Sequence, residues 1–309
     1  MVARMGLENK VVLITGAARG IGAETARRAV AKGARVSLVG LEPERLRTLA
    51  DELGERAAWF EADVTDQAQV DGAVAGTVAA FGGIDVVLAN AGVGNSGTVA
   101  ITPVEVLLRT IEINLDGVVR TVSAALPHVT QRGGYMMIVS STAAFTMAPG
   151  MAPYAASKAA VEQFANCLRL EVAHKGVSVG SVHPGWIDTD LVRDQRKDLK
   201  SFDAAFEKFP WPLNATTSVG ECADAIVAGM ERRKRRVYVP RAIALVQALR
   251  TLTTGTVGYL LMRREVKRMV PQMEAEVQAL GRYYGSSSVA MPGAPPAVQE
   301  SAEKAEQAA

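Results

Sequence analysis

The sequence predicts an α/β protein whose core is a doubly wound parallel sheet of about seven strands, followed by a helical C-terminal extension. Short apolar runs rich in β-branched residues alternate with longer Ala-rich stretches of helical period over residues 1–185. Most of the apolar runs are continuous, which is typical of strands buried on both faces. The helical stretches are long enough to cross over the sheet, so successive strands can run parallel.

The elements follow one another in a regular order. The first six strands are predicted at residues 10–15, 35–39, 57–61, 85–89, 135–140 and 177–183. The helices between them are predicted at residues 20–32, 43–54, 67–81, 103–131 and 154–174. Residues 186–218 mix charged and aromatic side chains without a period, which indicates a loop or lid. A helix at residues 219–232 and a strand at residues 237–240 would complete a first domain of residues 1–240.

Residues 241–284 are predicted as a helical extension, apolar up to residue 262 and basic and amphipathic after it. The net charge is only +2, yet residues 232–268 hold eleven basic residues and one acidic residue. Apolar surface bordered by cations suits peripheral contact with an anionic membrane through residues 232–268. Packing on the first domain or on a second subunit is the favoured interpretation of the extension, and polar residues make residues 243–262 a poor spanning helix. Residues 285–309 lack any period and are predicted to be a disordered tail.

Composition excludes several classes of protein. With 49% hydrophobic and 21% charged residues, the chain is not wholly disordered. Its two cysteines are too few for a disulfide framework or a multi-cysteine zinc site, and its three histidines share no ligand spacing, so we expect no metal. The basic run at residues 232–236 also complements a helix end, and we expect no nucleic-acid binding. No apolar signal segment begins the chain, which favours a cytoplasmic location.

A glycine-rich turn follows the first predicted strand directly. It reads Thr15-Gly16-Ala17-Ala18-Arg19-Gly20-Ile21-Gly22 and opens into an Ala-rich helix. Glycines at these positions permit a tight turn and close approach of the backbone to a pyrophosphate, with the helix N-terminus facing the negative charge. An ordinary βα turn is the alternative, but the strand before it and the helix after it favour a nucleotide site.

The spacing Gly-x-x-x-Gly-x-Gly resembles that of the short-chain dehydrogenase/reductase family. Further markers of that family appear in order along residues 8–240: Asn90-Ala91-Gly92, Asn114, Ser141, Tyr154 with Lys158, and Pro184-Gly185. The resemblance implies a Rossmann-like fold and an NAD(P)-dependent oxidoreductase. Such an enzyme moves a hydride between a nicotinamide and a carbonyl or secondary alcohol.

Four residues form the expected catalytic set. Tyr154 and Lys158 stand at i and i+4 of a predicted helix, so their side chains share one face. A nearby cation favours the phenolate and lowers the pKa of a tyrosine, which would make Tyr154 a general acid/base. Ser141 would donate a hydrogen bond to the substrate oxygen. The resemblance implies that Asn114 kinks its helix and anchors a water beside Lys158.

The resemblance also implies a set of coenzyme contacts. Asp63 and Val64 would contact the adenine, Asn90 would brace the central strand, and Thr189 would touch the nicotinamide amide. Lys158 would hold the nicotinamide ribose. The complete expected set is Gly16, Arg19, Gly20, Ile21, Gly22, Gly40, Asp63, Val64, Asn90, Tyr154, Lys158 and Thr189.

The choice of coenzyme depends on the end of the second strand. An acidic residue there binds the ribose 2′-hydroxyl of NAD, whereas a basic one accommodates the 2′-phosphate of NADP. This chain has Gly40-Leu41-Glu42, which fits neither pattern. Gly40 leaves room and Arg19 offers a cation, while Glu42 would repel a phosphate. On this basis NADP is slightly favoured over NAD.

Other interpretations stay open at this point. A non-catalytic nucleotide-binding scaffold or redox sensor would keep the glycine turn without needing the catalytic set. An epimerase or dehydratase is a second rival, although their glycines are commonly placed differently. A small carbonyl or alcohol substrate, lipophilic in character, is expected from the apolar lid and extension. The long helices at residues 103–131 and 154–174 resemble those through which the family forms homodimers or homotetramers.

Overall fold

The computed structural model describes residues 5–289. The strands are β1 (Val11–Thr15), β2 (Arg35–Gly40), β3 (Ala57–Glu61), β4 (Val86–Ala89), β5 (Tyr135–Val139), β6 (Ser178–Pro184), β7 (Trp186–Ile187), β8 (Thr216–Thr217) and β9 (Arg236–Val239). The helices are α1 (Gly20–Ala31), α2 (Pro43–Leu53), α3 (Gln67–Phe81), α4 (Val104–Ile111), α5 (Gly117–Gln131), α6 (Ala152–Glu171), α7 (Asp190–Asp198), α8 (Lys200–Lys208), α9 (Val219–Glu231), α10 (Ile243–Ala248), α11 (Arg250–Thr253), α12 (Thr256–Leu280) and α13 (Ser286–Val289).

Seven strands form one parallel sheet in the order β3-β2-β1-β4-β5-β6-β9, which confirms the doubly wound fold predicted from the sequence. β1 pairs with β2 on one side and with β4 on the other. The order of the strands therefore reverses at this point, and a crevice opens beyond the carboxyl ends of β1 and β4. Open α/β sheets bind their ligands at such a crevice.

The core consists of two apolar layers, one on each face of the sheet. Val12 and Ile14 pack into one layer, whereas Leu13 packs into the other, because successive side chains of a strand point to opposite faces. All five residues of β1 are buried. This geometry explains why the strands are continuous apolar runs in the sequence.

The helix predicted at residues 103–131 is interrupted. A wider, π-helical turn, Glu112–Asp116, separates α4 from α5 and contains the buried Asn114. The Asn114 amide accepts a hydrogen bond from the Val93 N–H at 2.8 Å and donates one to the Val93 carbonyl at 2.9 Å. The irregular turn and these two bonds join the helix to the loop after β4, in agreement with the kink that the family resemblance implies.

The expectation that residues 186–218 lie outside the core was wrong for α8. Phe202 and Phe206 are buried, and each ring packs edge-on against Trp186, with ring centroids 5.2 and 5.4 Å apart. Arg196 also forms an ion pair with Asp203 at 2.6 Å, joining α7 to α8. Two helices of nine residues each are too short for their period to stand out in the sequence.

The C-terminal extension is continuous with the domain it follows. α12 runs across residue 262, where the sequence suggested a division, and its second half buries Met273 and Val277 against Val106 and Phe202. Residues 285–289 differ from the predicted tail, because Asp194 accepts hydrogen bonds from the backbone and hydroxyl of Ser287 at 2.8 and 2.6 Å. Residues 290–309 lie outside the described part of the chain. Within residues 5–289, no helix combines the length and apolarity needed to cross a membrane.

Candidate active site

The glycine turn forms a cradle in which side chains have no room. Gly16 has a positive φ of 62°, and a Cβ there would approach the Ala91 Cα to 2.9 Å. A Cβ on Gly22 would lie 2.3 Å from the Gly16 carbonyl oxygen. α1 begins here without a side-chain cap and without an acidic residue in its first turn. Its free N–H groups and the positive end of its dipole therefore fit the pyrophosphate of a dinucleotide coenzyme.

Asn90 braces the two central strands at the same place. Its amide donates to the carbonyls of Thr15 and Gly16, at 2.9 and 3.1 Å. The Thr15 hydroxyl in turn accepts hydrogen bonds from the backbone N–H groups of Asn90 and Ala91, at 3.0 and 3.2 Å. These bonds hold the ends of β1 and β4 together beneath the cradle, which agrees with the role that the resemblance implies for Asn90.

Asp63 and Val64 lie at the end of β3, on the adenine side of the expected site. Burial favours a raised pKa for Asp63, but hydrogen bonds from Thr65 and the charge of Arg109 outweigh it and hold the pKa below its usual value. Arg109 donates to Asp63 at 3.1 Å from the far end of α4. Asp63 is therefore a fixed, ionised acceptor. Arg109 lines the same cavity and was missed in the sequence, because only the fold brings α4 beside β3.

The predicted residues converge on one cavity of about 740 Å³. Ser141, Tyr154 and Lys158 line it together with nearly all the expected coenzyme contacts. Two predicted residues do not line the cavity: Gly22 of the expected coenzyme contacts and Asn114 of the catalytic set. The predicted members on its wall are Gly16, Arg19, Gly20, Ile21, Gly40, Asp63, Val64, Asn90, Ser141, Tyr154, Lys158 and Thr189.

Three side chains of the catalytic set meet at the junction of β5 and α6. The Ser141 hydroxyl accepts a hydrogen bond from the Ala143 N–H at 3.1 Å. Lys158 is buried and donates from Nζ to the Val139 carbonyl at 3.0 Å. Its Nζ also lies 5.7 Å from the centroid of the Tyr154 ring. The arrangement leaves a phenol, a hydroxyl and an ammonium around one point of the cavity.

Asn114 supports this group from behind. Its amide donates to the Ser157 hydroxyl at 3.2 Å, and Ser157 donates to the Tyr154 carbonyl at 2.7 Å. A Cβ on Gly92 would lie 3.0 Å from the Asn114 Oδ1 and 3.3 Å from the Lys158 Nζ, so the Gly92 backbone lies against both side chains. The loop after β4 therefore packs against the turn that carries Asn114 and against α6.

The pKa values differ from the sequence-based expectation. Burial raises the pKa of Tyr154, and a hydrogen bond with Ser141 opposes that rise only partly. Burial also lowers the pKa of Lys158 to about 8. The expected lowering of the Tyr154 pKa by Lys158 is absent, because the ammonium is directed to the Val139 carbonyl. Tyr154 is therefore a protonated phenol at neutral pH, which suits a proton donor.

Arg19 is already engaged by acidic side chains. Its guanidinium lies 3.1 Å from Glu42 and 3.6 Å from Asp190, and it donates to the Ser287 carbonyl at 3.0 Å. Thr189, next to Asp190, packs against the glycine turn, since a Cβ on Gly20 would lie 3.4 Å from the Thr189 methyl group. Asp190 and Ser287 were not predicted from the sequence, since they reach Arg19 only through α7 and the segment after α12.

The far side of the cavity is bordered by the C-terminal extension. Leu249, Leu252, Val257 and Leu261 line the same space as Ser141. The sequence predicted apolar character there, but not which residues reach the cavity. The side of the cavity away from the glycine turn is therefore largely apolar.

Comparison with known proteins agrees with this geometry. A family model described as short chain dehydrogenase matches residues 10–200. Dehydrogenase/reductase SDR family member 7B of Bos taurus is 33% identical over 279 residues, which cover 85% of this chain and 84% of that protein. The 2-(R)-hydroxypropyl-CoM dehydrogenase of Xanthobacter autotrophicus is 32% identical over 71% of this chain and 90% of its own length. A crystal structure of 3-ketoacyl-(acyl-carrier-protein) reductase from Brucella melitensis, complexed with NADH, superposes with a TM-score of 0.67 at 26% identity, covering 75% of this chain and 97% of that one.

Proposed function

Because this chain belongs to the short chain dehydrogenase family and is an NAD(P)-dependent oxidoreductase, we propose that Tyr154 is its general acid/base in the interconversion of a lipophilic carbonyl compound and a secondary alcohol. The observation that carries the proposal is the meeting of Tyr154, Ser141 and Lys158 on the wall of the cavity that also contains the glycine cradle. When bound, the nicotinamide coenzyme supplies or accepts the hydride.

The residues of the chain handle the proton and the substrate oxygen. In the direction of reduction, Tyr154 donates its phenolic proton to the carbonyl oxygen as that oxygen gains negative charge. Its raised pKa keeps the proton in place at neutral pH until that charge develops. Ser141 accepts from Ala143 and is hydrogen-bonded to Tyr154, and its O–H donates to the same oxygen once the substrate replaces that bond. Lys158, whose Nζ lies 5.7 Å from the centroid of the Tyr154 ring, would hold the nicotinamide ribose beside that ring.

Substituting Tyr154 by Phe tests this assignment. The change removes the transferable proton and little packing, so kcat should fall by about a hundredfold or more. Coenzyme affinity, followed by fluorescence titration, should stay within a few fold. Tyr259→Phe is the matched control, because Tyr259 is exposed and outside the cavity. Turnover in the Tyr154→Phe variant above about a tenth of the wild-type value would remove Tyr154 from the role.

A scaffold or redox sensor on the same fold is the competing function. It would bind coenzyme but turn over no compound in a panel of ketones and secondary alcohols. The assembled Ser141, Tyr154 and Lys158 favour the enzyme, since a scaffold does not need a buried lysine beside a phenol on the cavity wall.

The cavity supports an apolar substrate class. Met147, Met151 and Leu191 line it alongside the four residues of the extension. We expect KM for a series of 2-alkanones to fall with chain length, by up to about fourfold for each methylene that the cavity buries. A KM that does not change with chain length would argue against a lipophilic substrate.

The choice between NADP and NAD depends on which groups pair with the Arg19 guanidinium. In the free enzyme Glu42 and Asp190 neutralise the guanidinium that a 2′-phosphate would need. This pairing weakens the preference for NADP predicted from the sequence, and it makes Glu42 the residue that sets the balance between NADP and NAD.

A further inference from the structure

The exposed apolar side chains of the described residues are concentrated in one region. Seven of the thirteen large hydrophobic residues that are exposed lie between residues 245 and 261. We call these seven the apolar face: Leu245, Leu249, Leu252, Val257, Tyr259, Leu260 and Leu261. Exposed apolar residues scattered singly need no explanation, whereas a contiguous set indicates a surface that something covers.

The apolar face is bordered by cations. Six exposed basic residues lie within residues 241–268: Arg241, Arg250, Arg263, Arg264, Lys267 and Arg268. Within residues 5–289, none of them has a carboxylate within 4.0 Å. Glu265, the one acidic residue of this stretch, is paired with Lys208 at 2.5 Å. The region therefore presents net positive charge to its surroundings.

Exposed apolar residues are followed by exposed cations along α12. Val257, Leu260 and Leu261 occupy its first turns, and Arg264, Lys267 and Arg268 follow on the same exposed side at helical spacing. The opposite side of α12 carries the buried Gly258 and Met269. An exposed side that changes from apolar to basic along one helix suits insertion of one end at the boundary between headgroups and acyl chains.

The apolar face also borders the mouth of the active-site cavity. Leu249, Leu252, Val257 and Leu261 belong both to the apolar face and to the cavity wall. The loop after α8 lies beside them, held by the ion pair of Lys208 with Glu265 and by packing of Leu213 against α10. Between these two contacts, Trp211 is 70% exposed. Tryptophan is enriched where proteins meet the lipid–water interface.

We propose that the apolar face docks on an anionic lipid bilayer, with the six cations among the headgroups, and that the cavity mouth opens towards the lipid. Entry of a lipophilic substrate from the bilayer through this mouth rests on the proposed function, whereas the docking does not. A second copy of the chain fits less well, because a two-fold contact across this face would oppose two sets of cations without carboxylates between them. An anionic surface complements the same charges.

Co-sedimentation of the full chain with lipid vesicles tests the docking. The protein should bind vesicles containing about 30 mol% phosphatidylglycerol at low salt, and bind pure phosphatidylcholine weakly. Binding should weaken at about 0.5 M salt, where charges are screened within a few ångströms. Failure of the protein to sediment with the anionic vesicles at low salt overturns the proposal. This holds whether a second copy or residues 290–309 occupy the apolar face instead.

Two pairs of matched variants localise the contact. Leu261→Gln should weaken the partition coefficient by about tenfold, and Lys267→Gln by about fivefold. Leu170→Gln and Lys175→Gln are the controls, since Leu170 has nearly the same exposure as Leu261, at 79% against 78%; Leu170 lies in the last turn of α6 and Lys175 in the short turn after it. Equal loss in a variant and its control would mean that the contact is not at the apolar face.

Trp211 provides an independent readout. Lipids brominated near the headgroup should quench the fluorescence of the wild type more than that of Trp211→Phe. Light scattering of Leu261→Gln without vesicles should give the wild-type mass, and a smaller mass would assign the face to a second copy. Turnover of a water-soluble ketone without vesicles should be unchanged in Lys267→Gln, since Lys267 does not line the cavity. If the wild type turns over this ketone but does not bind the anionic vesicles, the docking fails and the proposed function stands.

Discussion

Replacing Lys158 by Met should stabilise the protein while abolishing its activity. Lys158 is buried, and burial lowers its pKa from 10.5 to about 8. At about 1.4 kcal/mol for each pH unit, keeping this lysine charged in the folded state at pH 7 costs roughly 3 kcal/mol. The variant loses the hydrogen bond to the Val139 carbonyl, which offsets about 1 kcal/mol. The net expectation is a gain of roughly 2 kcal/mol in the free energy of unfolding at pH 7.

The pH dependence gives this prediction its sign. Because the pKa is lower in the folded state, the unfolded chain binds more protons between about pH 8 and 10.5. The stability contributed by Lys158 is therefore lowest below pH 8 and rises through that window. The advantage of Lys158→Met over the wild type should shrink as the pH increases from 8 towards 10.5.

Urea unfolding followed by tryptophan fluorescence, at pH 7 and at several values up to 10, measures this difference. Lys175→Met serves as the control, because Lys175 is exposed and its substitution should stay within about 0.5 kcal/mol. A Lys158→Met variant less stable than the wild type at pH 7 would refute the reasoning. So would a stability difference that does not change with pH.

Three further outcomes are expected. Gly40→Asp should shift kcat/KM towards NAD, because a carboxylate there can accept a hydrogen bond from the ribose 2′-hydroxyl. The side chain has room, since the nearest atoms to a Cβ at Gly40 are 3.8 Å away. An unchanged ratio of kcat/KM for the two coenzymes would contradict this. Glu42→Gln should raise kcat/KM for NADP by about tenfold, because it frees Arg19 for the 2′-phosphate, and Arg19→Gln in the same background should cancel the gain. Light scattering at micromolar concentration should give the mass of a homodimer or homotetramer. Leu108→Arg, at an exposed position of α4, should reduce that mass. A monomeric wild type would exclude the predicted self-association.

The fold was predictable because its signals are local. Most strands of the seven-stranded sheet are largely apolar runs, and the helices between them are longer Ala-rich stretches, so no knowledge of distant contacts was required. α8 shows where this reasoning fails. Phe202 and Phe206 are buried only because Trp186 and α12 supply the partners for their rings, and no pattern within residues 186–218 indicates those partners.

The positions of the site residues were likewise predictable, but their electrostatics were not. The i, i+4 spacing of Tyr154 and Lys158 placed both on one helix face. It did not indicate that Nζ is directed to the Val139 carbonyl, which lies on another element. The same limit applies to Arg19, whose partner Ser287 is 268 residues away along the chain. A pKa depends on such partners and on burial, which only the folded chain defines.

The two sides of the cavity are formed by different parts of the chain. The glycine cradle, Ser141, Tyr154 and Lys158 all lie within residues 8–240, which carry the family resemblance. Leu249, Leu252, Val257 and Leu261, which border the opposite side, come from α11, α12 and the residue between α10 and α11. Family membership therefore constrains the coenzyme-dependent reaction, whereas the proposed substrate class also depends on residues outside the resemblance. For this reason, substitutions in the apolar face should change KM for long-chain ketones more than kcat for short ones.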